Sequence, residues 1–171
     1  MQFEFISDDT FQMILERDYE EVQKCIETKS AKSVLVLSGS IVEALLSDYF
    51  IENLPAGQTQ ATILATTLAS LLDMAEAEAI ITRSEKNLAT VIKDYRNLIH
   101  PGREVRKNEQ FDFETAQLAF QILNLLIRKI QRKYREKFAY TAEDILNSLN
   151  EDWNYNSIYS TVITRLSTGE K

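Results

Sequence analysis

The chain has 171 residues, about one average domain, with only 4 Gly and 2 Pro. Ordinary usage of about 7% Gly and about 5% Pro would supply several times as many, so the tight turns of a β-sandwich, a barrel or a doubly wound fold are excluded in favour of long helices. With 44% hydrophobic and 26% charged residues it reads as a globular chain able to bury a sizeable core, and a net charge of −7 excludes a general nucleic-acid coat.

The first helix starts at Ser7, Asp8 or Asp9, whose side chains can cap free amides, and runs to about residue 28. Phe11, Ile14, Leu15, Val22, Cys25 and Ile26 share one side at helical spacing, which predicts an amphipathic outer helix. A second helix, over residues 30–53, has two apolar stripes: Val34, Leu37, Ile41 and Leu45 form one, and Leu35, Val42, Leu46 and Tyr49 the other. Between Ser33 and Ser47 only Glu43 is charged, so this helix is expected to be buried on two faces, within the bundle or against a partner subunit. Asp48, near its end, is read as a surface residue, as is Asp94 further on.

Pro55 and Gly57 mark a turn, after which residues 59–79 read as a third helix bearing Ile63, Leu64, Leu68, Leu71, Leu72 and Met74. A break at residues 82–84 would separate it from Leu88, Val91, Ile92, Tyr95, Leu98 and Ile99, which keep helical spacing up to His100. There Pro101 disfavours the α conformation of the residue before it and Gly102 permits a reversal. Residues 103–111 form a polar loop, and residues 112–138 a long helix with Ala116, Ala119, Phe120, Leu123, Leu126, Ile127 and Ile130 inward. The fold class expected is all-α: an antiparallel up-and-down bundle of four to five long helices over residues 1–138. Residues 139–171 are expected to be a C-terminal extension packed on the bundle. In it, Thr141-Ala142-Glu143-Asp144 has the form of a capping box, while residues 157–166 combine β-branched and aromatic content with a four-residue spacing and read as a short helix.

One Cys, Cys25, allows no intrachain disulfide, and one Cys with one His nearly excludes a zinc cluster. The start, Met1-Gln2-Phe3-Glu4-Phe5, lacks a basic n-region and an apolar h-region. No apolar run approaches the roughly 20 residues that span a bilayer. The expectation is a cytoplasmic protein with no cofactor and no membrane partner.

Charge is unevenly spread. Residues 93–107 sum to +3 and residues 128–137 to +5, leaving −15 on the rest. The second run has a plain explanation as a solvated helix end complementing the dipole. In the first, Arg96 and His100 are four apart and lie one above the other on a helix, within reach of one anion, with the Asn97 amide adjacent. An Arg beside a single His is a sensible minimum for metal-independent RNA cleavage, and on chemistry alone a weak signal of it. The imidazole moves a proton to or from a ribose hydroxyl or leaving oxygen, and the guanidinium stabilises charge on the phosphorane. A helix cap or dipole partner is the plainer role for such a His. Glu43 is either exposed at the bundle edge or paired with Arg96 or His100.

Arg96-Asn97-Leu98-Ile99-His100-Pro101-Gly102-Arg103-Glu104, followed by a polar loop and Phe111-Asp112-Phe113-Glu114-Thr115-Ala116 opening an apolar helix, resembles the HEPN superfamily of small α-helical domains. The earlier segment Ser38-Gly39-Ser40-Ile41-Val42-Glu43-Ala44-Leu45-Leu46 is similar to that family's helix with a small residue and an acid. The resemblance covers roughly residues 8–138. It implies a helical bundle, commonly a homodimer, whose Arg-polar-…-His motifs face each other across a cleft. Catalytic members are metal-independent endoribonucleases of toxin-antitoxin and defence systems, often paired with a nucleotidyltransferase antitoxin. Silent members act as nucleotide-binding or protein-interaction scaffolds. Carried onto this chain, Arg96 and His100 would be the catalytic pair, Asn97 the polar residue after the Arg, and Glu43 an orienting acid. Lys93, Arg103, Arg106 and Lys107 would hold RNA or phosphate. The Arg-to-His spacing is shorter than the family's usual pattern, and one residue fewer turns the His by about 100° around the helix.

Overall fold

A computed structural model of the chain describes residues 3–96 and 112–138. Among the described residues there are six α-helices and no strand: α1 (Asp9–Glu27), α2 (Ala31–Glu52), α3 (Gln60–Leu64), α4 (Leu68–Ala77), α5 (Arg83–Arg96) and α6 (Phe113–Phe138). The expected all-α helical bundle is therefore observed. By packing, the chain divides into two compact units, Met1–Ile130 and Gln131–Lys171. The second contains the last turns of α6, where Tyr134 is buried and Lys133 pairs with Glu136 at 3.0 Å. The C-terminal extension lies outside the described residues.

In the first unit the helix boundaries follow from local hydrogen bonding. Asp8 caps α1 by accepting from the amides of Thr10 and Phe11, each at 2.9 Å. α1 ends through Lys29 in the left-handed region, φ 55°, with the Ser30 amide donating to the Cys25 carbonyl at 2.9 Å. That reversal, normally given to glycine, folds α2 back along α1. Leu15, Tyr19 and Val22 are the buried residues of α1.

α2 is the core of the bundle, packed against α1, α3, α4 and α5. Of the stripes read from the sequence, Val34, Ile41 and Leu45 on one and Leu35, Val42, Leu46 and Tyr49 on the other are buried, with Phe50 as well, while Leu37 is half-buried. Fully burying a side chain of this size contributes about 1.5–3 kcal/mol relative to exposure. By length and composition α2 would also suffice to cross a membrane, contrary to the expectation that no segment approaches that limit. Its most apolar stretch is 67% buried inside the protein, and the core helix of a soluble protein meets the same criterion.

The single helix expected over residues 59–79 is two, α3 and α4. Thr59 caps α3 by accepting from the Thr62 amide at 3.2 Å, while the Thr62 hydroxyl accepts from the Thr59 amide at 2.8 Å. The next break comes at residues 65–67, where Thr67 caps α4 by accepting from the Ser70 amide at 3.3 Å. α4 closes through Ala79, φ 52°, with the Ile80 amide donating to the Ala75 carbonyl at 2.9 Å. The break expected at residues 82–84 is the cap of α5: the Thr82 amide donates to Glu85 at 2.8 Å and the Glu85 amide to the Thr82 hydroxyl at 3.3 Å. Asp112 opens α6, accepting from the Thr115 amide and hydroxyl, each at 2.7 Å.

α6 buries Ala116, Ala119, Ile122, Leu123, Leu126, Ile127 and Ile130. It meets α1 where the Tyr19 hydroxyl donates to Asn124 Oδ1 at 2.6 Å and the Tyr19 ring lies 6.0 Å from that of Phe120. Phe3 closes the other side of Tyr19 edge-on at 5.7 Å. Ionic ties also join helices: Lys86 of α5 reaches Asp73 and Glu76 of α4, both at 2.6 Å, and Lys129 of α6 reaches Glu85 of α5 at 2.9 Å.

Candidate functional site

The candidate residues sit on two helices that touch. α2 carries Glu43, and α5, packed against it, carries Lys93 and ends at Arg96. Glu43 lies on the least buried face of α2, with Val36 and Ser40, and is half-buried. It is engaged with a partner, which agrees with the energetic demand on a charge in such a helix. Lys93 is 23% exposed and pairs with Asp94 of its own helix at 3.3 Å; Asp94 is exposed, as expected. Of Arg96 only the helical backbone is described. Asn97, His100, Arg103, Arg106 and Lys107 lie outside the described residues, so the Arg96-His100 relation rests on the sequence.

One residue corrects the sequence reading. Asp48 is not a surface residue: it is 1% exposed. The reason lies in its position, seven residues after Ile41 and fourteen after Val34, which puts it on the same inward stripe of α2. A carboxylate there requires a partner, and Asp48 has one. The helical spacing that identified the stripe could have found it, had polar residues been placed on the same wheel. Ser38 and Ser47 are further buried polar residues of α2, and the Ser38 hydroxyl, 0% exposed, has no hydrogen-bond partner among the described residues. The three acids of α2 thus differ in character: Glu43 is half-open, Asp48 enclosed and Glu52 exposed at the helix end.

Among the described residues, Glu85, Asp112 and Lys86 are shifted from their usual values, each at a helix end or a helix-helix tie. Burial pushes the Glu85 carboxyl up, but the Thr82 amide and hydroxyl and the Lys129 ammonium outweigh it and hold it below its usual value. Hydrogen bonds from the Thr115 hydroxyl and amide hold the Asp112 carboxyl down. Asp73 and Glu76 hold the Lys86 ammonium above its usual value. These shifts belong to caps and ties rather than to the α2–α5 contact. Among the described residues no group of three or more His, Cys, Asp or Glu side chains could hold a metal ion.

No family model, curated protein or solved structure matches this chain.

Proposed function

We propose that this chain is a HEPN-like, metal-independent endoribonuclease of the toxin-antitoxin or defence type, acting as a cytoplasmic homodimer. In this reading His100 takes the proton of a ribose 2′-hydroxyl as that oxygen attacks the adjacent phosphorus. The bond to the 5′-oxygen then breaks, and a protonated imidazole returns a proton to it, leaving a 2′,3′-cyclic phosphate and a 5′-hydroxyl. Arg96 stabilises the charge on the phosphorane. Asn97 supplies an amide donor, Glu43 orients the pair, and Lys93, Arg103, Arg106 and Lys107 draw the strand in. A nucleotidyltransferase-type antitoxin is the expected partner.

The observation that supports the reading is the packing of α2 on α5, which sets the acid-bearing helix beside the helix that ends at Arg96. The test is cleavage of single-stranded RNA in EDTA by the purified chain and by His100→Ala. The expected result is cyclic-phosphate ends from the parent and none from the variant. RNA left intact by the parent, with a nucleotide or protein partner still bound, would assign the chain to the silent scaffolds instead. A strictly monomeric chain in light scattering would rule out the two-subunit cleft.

A further inference from the structure

We infer that Arg128, Arg132 and Arg135 form a guanidinium ridge on α6 that takes the phosphodiester backbone of single-stranded RNA. All three are exposed, and their spacing of four and three residues puts them on one stripe of the helix. They sit about 6 Å and about 4.5 Å apart along its axis. The lysines between them are differently employed: Lys129 is tied to Glu85 at 2.9 Å and Lys133 to Glu136 at 3.0 Å. No described residue pairs with any of the three arginines. Between Glu114 and Glu136 α6 carries no acidic side chain at all, in a chain whose net charge is −7.

Complementing the helix dipole does not account for this. That effect is confined to the last turn, and α6 ends at Phe138, so it covers Arg135 but not Arg132 or Arg128. Like charges four apart on a helix repel and cost stability, so the stripe is a liability in the free protein that a bound polyanion would relieve. Arginine also favours phosphate: its planar fork pairs with two phosphate oxygens at once, where an ammonium acts as a point charge. A folded acidic partner would need apolar anchors beside the charges. From Arg128 to Arg135 the two apolar residues, Ile130 and Tyr134, are both buried. That leaves a predominantly cationic stripe, bordered at its end by Glu136, which Lys133 engages at 3.0 Å.

That the strand is RNA rests on the reading in the preceding section. The experiment measures fluorescence anisotropy of a labelled oligouridylate of about twelve nucleotides with the full chain in EDTA. The His100→Ala parent is compared with the same chain also carrying Arg128→Gln, Arg132→Gln and Arg135→Gln. The expected result is a loss of about tenfold or more in affinity, with the slope of log affinity against log salt falling by about 2, the share of three phosphate contacts on a single strand. An Arg→Lys triple variant should keep the slope and recover part of the affinity. An unchanged thermal melt would show that the exposed substitutions leave the fold intact. Equal binding by parent and Gln variant overturns the ridge alone, and displacement of the RNA by polyglutamate as readily as by unlabelled RNA overturns it in favour of an acidic protein partner. Binding that depends on the ridge, alongside a wild-type chain that cleaves nothing, supports the ridge and removes the ribonuclease reading. A parent that binds no RNA removes both.

Discussion

α2 and the stretch from Thr59 to Arg96 are both rich in apolar residues, yet one is a single helix and the other is three. Gly39 sits inside α2 without breaking it. The other stretch contains neither Gly nor Pro and is cut twice. What cuts it is hydroxyl chemistry: Thr59, Thr67 and Thr82 each turn an oxygen onto the amide three residues on. The exit from α4 is a left-handed alanine, Ala79, and that from α1 a left-handed lysine, Lys29. In a glycine-poor chain, caps and strained exits do the work that glycine and proline do elsewhere.

The contrast between core helix and segmented stretch is broken most strongly in the core. Leu45→Ala, at a site with 0% exposure, should cost about 2–5 kcal/mol in urea unfolding. Leu64→Ala, 56% exposed on α3, should stay within about 0.5 kcal/mol. Similar losses at the two sites would refute the assignment of α2 as the shared core. A smaller pair of opposite sign probes the punctuation. Thr67→Ala should cost about 1 kcal/mol through the lost cap of α4, whereas Ala79→Gly should gain about 1 kcal/mol by relieving the left-handed residue at its end. Loss of stability in the glycine variant would contradict that geometry. The smallest effect is pH-dependent. Because the Glu85 carboxyl is held below its usual value, its contribution is fully present above the ordinary carboxylate range and is lost as pH falls through the lowered value. Glu85→Gln should therefore flatten the acid side of a plot of urea midpoint against pH; superimposable profiles would show that the tie to Lys129 adds nothing.

The long helices were legible because their apolar spacing is redundant: α1, α2 and α6 each repeat the inward pattern over several turns, and a single misread residue does not hide it. The segmentation was only half legible. Thr82 stood out as a break, but Thr67 did not, because a capping threonine in a Thr-Thr-Leu context looks like one more tolerated residue until its hydrogen bond is seen. Asp48 was misread for a related reason: the rule that carboxylates face water was applied to the residue alone, while its register on α2 had already assigned it inward. The candidate site was legible as chemistry, Arg96 with His100, and as an acid on the neighbouring helix. Which acid is enclosed was legible as well, in the register that places Asp48 seven residues after Ile41.

The central position of α2 has a consequence in time. Its core partners α4 and α5 follow it in the chain, and α5 ends at Arg96. At about 5–20 residues per second of synthesis, several seconds separate the completion of α2 from that of α5. During that interval α1, delivered just before it and folded back through Lys29, is the first surface available to shelter 22 residues apolar enough to enter a membrane. The reversal at Lys29 thus sets α1 beside an apolar helix whose remaining partners are made only later.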